Sequence, residues 1–202
     1  MRIRLDEEEL PLSEETIKEG KEAVFEAARK SALSKKSVII EIIVDGIQIE
    51  DEEAFFSLSG GMDIHFTSQP IITLVRESVE EGLKYIPTLL KGLEGIATLI
   101  EEGRDNEAIS SFLQAVEGIT WLVGVFEKSC ALLGITLDNI SAGDWAKDTK
   151  ELNEALEEII SIMESGRAMR MAFVIRERLI PEITKFSPYW LDISSQLDSP
   201  VQ

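Results

Sequence analysis

At about Ser68 the spacing of apolar residues changes from a period of two to a helical period that continues along the rest of the chain. Between Gln69 and Glu102 the apolar positions are separated only by threes and fours, which predicts a long amphipathic helix. They are Ile72, Val75, Val79, Leu83, Ile86, Leu90, Leu93, Ala97 and Ile100. Pro87 falls inside this segment and removes one backbone hydrogen bond, so we expect a kink just before it.

A second long helix is predicted after a connection of only a few residues, Gly103 to Asn106. Its apolar seam is Ile109, Phe112, Val116, Ile119, Val123, Phe126, Cys130 and Leu133, and Gly134 ends it. The short connection makes the two helices antiparallel neighbours. Two shorter helices are predicted at about 148–165 and 167–186, the last interrupted by Pro181.

The first 69 residues combine a helical segment with segments of period two and so predict a mixed unit. A helix begins after Ser13, with Gly20 as its weak point. Asp45-Gly46 is a type I′ turn pair between two β-branched runs, 37–44 and 47–50, so Val44 should pair with Ile47 and Ile42 with Ile49. That register places one apolar set on a common face: Ile40, Ile42, Val44, Ile47 and Ile49. Further strands are predicted at 2–5 and 62–67.

These patterns predict an α+β fold. Residues 1–69 form a small α/β unit with a β-hairpin, and residues 70–192 form an antiparallel part that resembles a four-helix bundle. The last segment, 193–202, is polar and is expected to fray.

The charge balance narrows the choice of partner. The chain has 38 acidic and 20 basic side chains, a net charge of -18 and a pI near 4.4. Such a surface repels phosphate backbones and anionic lipids, so neither nucleic acid nor a membrane is expected as a partner. A partner with a basic face fits better, although the acidic residues could also serve only to keep the protein soluble.

Cysteine content and the N-terminal sequence predict a cytoplasmic protein. Cys130 is the single cysteine and lies in an apolar stretch, so we expect a buried thiol and no intrachain disulfide. The first residues lack the apolar core of a signal peptide. No run approaches the roughly eighteen apolar residues that span a bilayer.

No residue pattern predicts a cofactor or a metal ion. The helical carboxylates lie off the apolar seams, and the single histidine, His65, lies on a predicted strand and faces solvent. The three tryptophans, Trp121, Trp145 and Trp190, are interpreted as core anchors and as side chains that cover helix ends.

One basic series interrupts the acidic surface, and its members are the candidate partner contacts. They are Arg167, Arg170, Arg176 and Arg178. The alternative interpretation pairs this helix face with Glu157, Glu158 and Glu164 of the preceding helix.

The order of these features resembles an uncharacterised family of small acidic bacterial proteins with an N-terminal α/β unit and a helical hairpin. Three segments carry the resemblance: the hairpin 40–46, the strand-to-helix passage 63–68, and residues 102–122 across the helical connection. A fourth, Arg178 to Ile183, lacks the acidic-aromatic-Glu-Leu stretch that the family has before its proline. The resemblance implies a fold arrangement and no catalytic residues.

Three functional hypotheses follow. The first is a noncatalytic interaction or scaffold protein that presents an acidic helical surface to a protein partner or to a second copy, as a homodimer. The second, by analogy in bulk properties, is a cytoplasmic chaperone of the secretion or flagellar export type. The third and least favoured is an enzyme whose site is assembled from distant residues.

Overall fold

A computed structural model describes residues 1–198, apart from the side chain of Asn139. The chain divides into two compact units, Met1–Leu74 and Val75–Gln202. The first unit contains a five-stranded sheet and the second is helical, so the predicted α+β class is confirmed.

The sheet of the first unit is mixed. Its strands are β1 (Arg2–Leu5), β2 (Glu8–Glu9), β3 (Ser37–Val44), β4 (Ile47–Ile49) and β5 (Asp63–Pro70), in the order β2-β1-β5-β3-β4. Strands β1 and β5 run parallel, and the other neighbours are antiparallel.

The hairpin between β3 and β4 has the predicted register, with Val44 opposite Ile47 and Ile42 opposite Ile49. Asp45 and Gly46 both have positive φ, 50° and 82°, as a type I′ turn requires. The predicted common face is not buried at two of its positions. Ile40 is exposed because the pairing of β3 with β5 shifts between Ile39 and Glu41, and Ile47 is exposed on the edge strand.

Three helices accompany the sheet: α1 (Glu14–Glu19), α2 (Lys21–Ser34) and α3 (Glu52–Ser57). The predicted first helix is broken at Gly20, whose φ of 106° is one that other residues rarely adopt. Phe25 of α2, Phe55 of α3 and Phe66 of β5 meet in the core, with ring centroids 5.6 to 6.4 Å apart.

The second unit contains the two long helices, α4 (Ile71–Glu101) and α5 (Asp105–Leu133). Helix α4 continues through Pro87. Helix α5 ends as predicted, because Gly134 adopts a left-handed conformation and the amide of Ile135 donates to the Cys130 carbonyl at 2.9 Å.

The rest of the second unit departs from the predicted two short helices. It consists of α6 (Trp145–Glu164), α7 (Ala168–Val174), a π-helical segment (Ile175–Leu179), α8 (Ile180–Thr184) and α9 (Phe186–Asp198). Pro181 has no amide hydrogen and its ring crowds the carbonyl four residues earlier, which accounts for the π-helical turn before it. The four-helix arrangement stays a prediction.

The two ends of this region also differ from expectation. Helix α6 begins three residues earlier than predicted, because the Asp144 side chain caps it by accepting from the Lys147 amide at 3.0 Å. Helix α9 extends six residues into the segment expected to fray, and its Ile193 is fully buried. Residues 199–202 lie outside the described part of the chain.

An aromatic cluster forms the core of the second unit. Phe126 of α5 stacks on Trp145 of α6, with centroids 4.3 Å apart, and lies 5.4 Å from Trp190 of α9. The Trp190 ring is fully buried and lies directly against Gly82 of α4, where a Cβ atom would overlap it. A glycine is therefore required where α9 packs on α4.

Replacing Gly82 by alanine should destabilise the protein by about 1–3 kcal/mol, because the buried Trp190 ring cannot move away from the added methyl group. The matched control is Gly92→Ala on the same helix, where a Cβ meets nothing within 4 Å. This control should stabilise the protein by about 0.5–1 kcal/mol. Urea unfolding measures the free energy of unfolding of both variants. Equal changes would contradict the close contact between Trp190 and Gly82.

Candidate functional site

One face of α5 is apolar but uncovered. It forms an open groove of about 530 Å³, called here the α5 groove, lined by Val116, Glu117, Thr120, Trp121, Gly124, Val125 and Lys128. The opposite face of α5 supplies Phe112, Ile119, Leu122 and Phe126 to the core. Apolar residues therefore occur on both faces of this helix.

Helix α5 is unusually apolar for its degree of burial. Among the described residues, α5 is the one helix with a window long and apolar enough to cross a membrane by length and composition, although no such segment was expected from the sequence. Only 28% of that window is buried. A core helix of this composition is normally covered on most sides, so the outward face of α5 lacks cover from the described residues.

Trp121 is the large side chain at the centre of the α5 groove, and it is held in place by Tyr85 of α4. The two rings meet edge to face with centroids 5.4 Å apart. Tyr85 reaches this position by lying over Gly118, where a Cβ atom would overlap its hydroxyl group. The indole is thus fixed on a rigid helix while 38% of the residue stays exposed.

The two charges of the α5 groove are of opposite sign and stand eleven residues apart in the sequence. Within residues 1–198, neither Glu117 nor Lys128 forms an ion pair or a hydrogen bond through its side chain. Both residues are exposed. The groove therefore carries no net charge in a protein whose net charge is -18.

The four arginines of the predicted series bind several different side chains in the structure. Arg170 and Arg178 both bind Glu158 of α6, the first at 3.3 Å, which confirms the predicted pairing with the preceding helix for these two. Arg167 donates to Ser165 Oγ at 2.9 Å. Their role as partner contacts stays a prediction.

Arg176 binds a different helix from the one predicted. Its guanidinium binds Glu94 at 2.7 Å and also Glu101, and so joins the π-helical segment to α4. This hydrogen bond from Arg176 holds the pKa of Glu101 below its ordinary value. The hydrogen bond from Arg178 does the same for the pKa of Glu158.

A family model described as a domain of unknown function (DUF8042) matches residues 77–188. The chain belongs to this family. The match covers more than half of the chain, so the resemblance to an uncharacterised family is confirmed. No curated protein and no solved structure matches the chain.

The α5 groove and the arginine series both lie within the DUF8042 region. The sequence interpretation of the three tryptophans is confirmed for Trp145 and Trp190, which are buried, and was wrong for Trp121. The α5 groove was missed because only the seam of α5 was considered. The available signal was the presence of further apolar residues outside that seam, among them Leu113, Trp121 and Val125. Val116, which was assigned to the seam, also lines the groove.

His65 and Cys130, the histidine and cysteine of the chain, both make contacts within the fold. His65 Nε2 lies 2.9 Å from the Asp6 carbonyl, half-buried, where solvent exposure was predicted. Cys130 is buried as predicted. Among the described residues, no group of three or more His, Cys, Asp or Glu side chains is arranged to hold a metal ion.

Outside the DUF8042 region, the first unit contains a buried ammonium group. Lys21 Nζ has no hydrogen-bond acceptor within the described residues and lies 5.3 Å from the centre of the Phe55 ring. Burial lowers its pKa, an effect that the Asp45 carboxylate opposes. Because the nitrogen has almost no solvent-accessible area, we interpret it as a structural contact with the aromatic ring.

Replacing Arg176 by methionine should lower the free energy of unfolding at neutral pH, because Glu101 loses the partner that lowers its pKa. A carboxyl with a depressed folded pKa stabilises the fold above its unfolded pKa, and this contribution is lost as the pH falls through the folded pKa. The difference from the wild type should therefore shrink from pH 7 to pH 3. Urea unfolding at both pH values tests this expectation.

The matched control for that variant is Arg167→Met, which removes a guanidinium bound to a serine hydroxyl. Its effect should be small at both pH values. An Arg176→Met effect that is the same at pH 3 and pH 7 would show that the ion pairs with Glu94 and Glu101 do not stabilise the fold.

Burial raises the pKa of the Cys130 thiol to about 11. A thiol reagent at pH 8 should therefore modify the native protein far more slowly than the urea-unfolded protein, because both access and thiolate formation are suppressed. The release of the coloured product of an aromatic disulfide reagent measures both rates. Similar rates would contradict the position of Cys130 in the core.

Proposed function

We propose that this protein is a noncatalytic interaction protein and that its helical unit binds another protein chain through the α5 groove. The observation that carries the proposal is the uncovered apolar face of α5, centred on Trp121. Contiguous apolar surface of this kind marks interaction sites in proteins. The cytoplasm is the proposed location.

The details of the α5 groove fit a binding role. Tryptophan is enriched among the residues that dominate binding energy, and such residues lie near the centre of an interface. Trp121 has this position, with Glu117 and Lys128 on either side along the helix. The contact with Tyr85 fixes its ring, so little conformational entropy is lost when a partner binds.

The acidic residues outside the α5 groove have a separate role in this proposal. A net charge of -18 repels acidic proteins at long range, a second copy of this chain included, so binding requires local complementarity of shape and charge. The export-chaperone hypothesis, which rests on bulk properties, stays a prediction.

The test is a photo-reactive amino acid placed at Thr120, in the α5 groove, in living cells of the source organism. Irradiation should give a discrete adduct that contains a second protein chain, and Trp121→Asp should abolish it. The matched control places the same group at Lys91, on an exposed position of α4. The absence of an adduct at Thr120, or an adduct that persists with Trp121→Asp, would overturn the proposal.

A further inference from the structure

The residues of the α5 groove have a two-fold pattern. Glu117, Trp121, Gly124 and Lys128 are spaced by four, three and four residues, so they lie in a row along one side of the helix. If a second α5 packs against the first in the opposite direction, Glu117 of one helix faces Lys128 of the other. In the same arrangement, Trp121 of one helix faces Gly124 of the other. An antiparallel pair of such helices is therefore self-complementary.

We propose that the occupant of the α5 groove is a second copy of this chain, whose α5 packs antiparallel on the first about a two-fold axis. This inference rests on the proposed function and names its partner. In this register Trp121 lies opposite Gly124 of the other copy, and Glu117 lies opposite Lys128. Each contact occurs twice, once on each side of the axis.

Shape complementarity supports this register. A Cβ atom on Gly124 would meet nothing within 4 Å, so the surface beside it is open. The indole of Trp121 from the other copy fills that space in the manner of a knob entering a hole. The same register places Thr120 opposite Val125, and the exposed Leu113 opposite the half-buried Leu132.

Charge complementarity distinguishes a second copy from a basic partner. Glu117 and Lys128 stand about 16 Å apart along the helix, at the rise of 1.5 Å per residue. Across the two-fold axis they form two ion pairs, which gives both side chains the partner that the described part of the chain does not supply. A uniformly basic partner would repel Lys128, so the neutral groove fits a copy of itself better.

The first experiment measures the dimer by sedimentation equilibrium at micromolar concentrations. The wild type should be a dimer. Glu117→Lys or Lys128→Glu should each raise the dimer dissociation constant by about tenfold, because two attractive charge pairs become two repulsive pairs. The double variant E117K/K128E should restore the wild-type affinity. Circular dichroism melting should show that all three variants fold.

Mixing the two single variants provides the sharper test. In a mixed pair, the E117K chain presents a lysine at both charged positions of the row, and the K128E chain presents a glutamate at both. Attraction is therefore restored at both contacts, and the mixture should form heterodimers with an affinity close to that of the wild type. A folding defect in either variant cannot produce this recovery.

Three outcomes would overturn the inference. A wild-type monomer that still forms a Thr120 adduct with a different protein would reject the second copy and leave the proposed function intact. A dimer that is insensitive to all three charge variants would place the interface elsewhere. Flotation with phosphatidylcholine vesicles, accompanied by a fluorescence shift that is lost in Trp121→Phe, would identify lipid as the occupant and would overturn the proposed function as well.

Discussion

The contact between Trp190 and Gly82 determines how the helices of the second unit are arranged. The indole is fully buried, and it lies where any other residue at position 82 would place a Cβ atom. Because the ring also contacts Phe126, α9 is held against both α4 and α5. Trp145 extends the same cluster to α6. This aromatic core therefore decides which face of α5 is turned inward.

The exposure of the outward face of α5 follows from that arrangement. The helix has apolar side chains on most of its circumference, and within residues 1–198 full burial falls on the side that bears Phe112, Ile119 and Phe126. Hydrophobic side chains left in water have a free-energy cost that a partner can remove. The proposals of an interaction protein and of an antiparallel dimer both derive from this incomplete cover.

The local features that depend on neighbouring residues could be predicted from the sequence. Apolar periodicity predicted α4 and α5, Asp45-Gly46 predicted the hairpin register, and Gly134 predicted the end of α5, because turn chemistry and side-chain period act over a few positions. Residue types likewise predicted the pairing of Arg170 and Arg178 with the preceding helix.

Which apolar residues are covered depends on contacts between distant parts of the chain and could not be predicted from the sequence. The bulge at Ile40 depends on pairing with β5, and the burial of Ile193 depends on the packing of α9, both of which join distant parts of the chain. Trp121 is a residue type common in protein cores, yet 38% of it stays exposed because Tyr85 of α4 leaves the rest of its ring uncovered. Periodicity shows that a helix has an apolar face, but burial requires a second surface, and the position of that surface is a property of the whole fold.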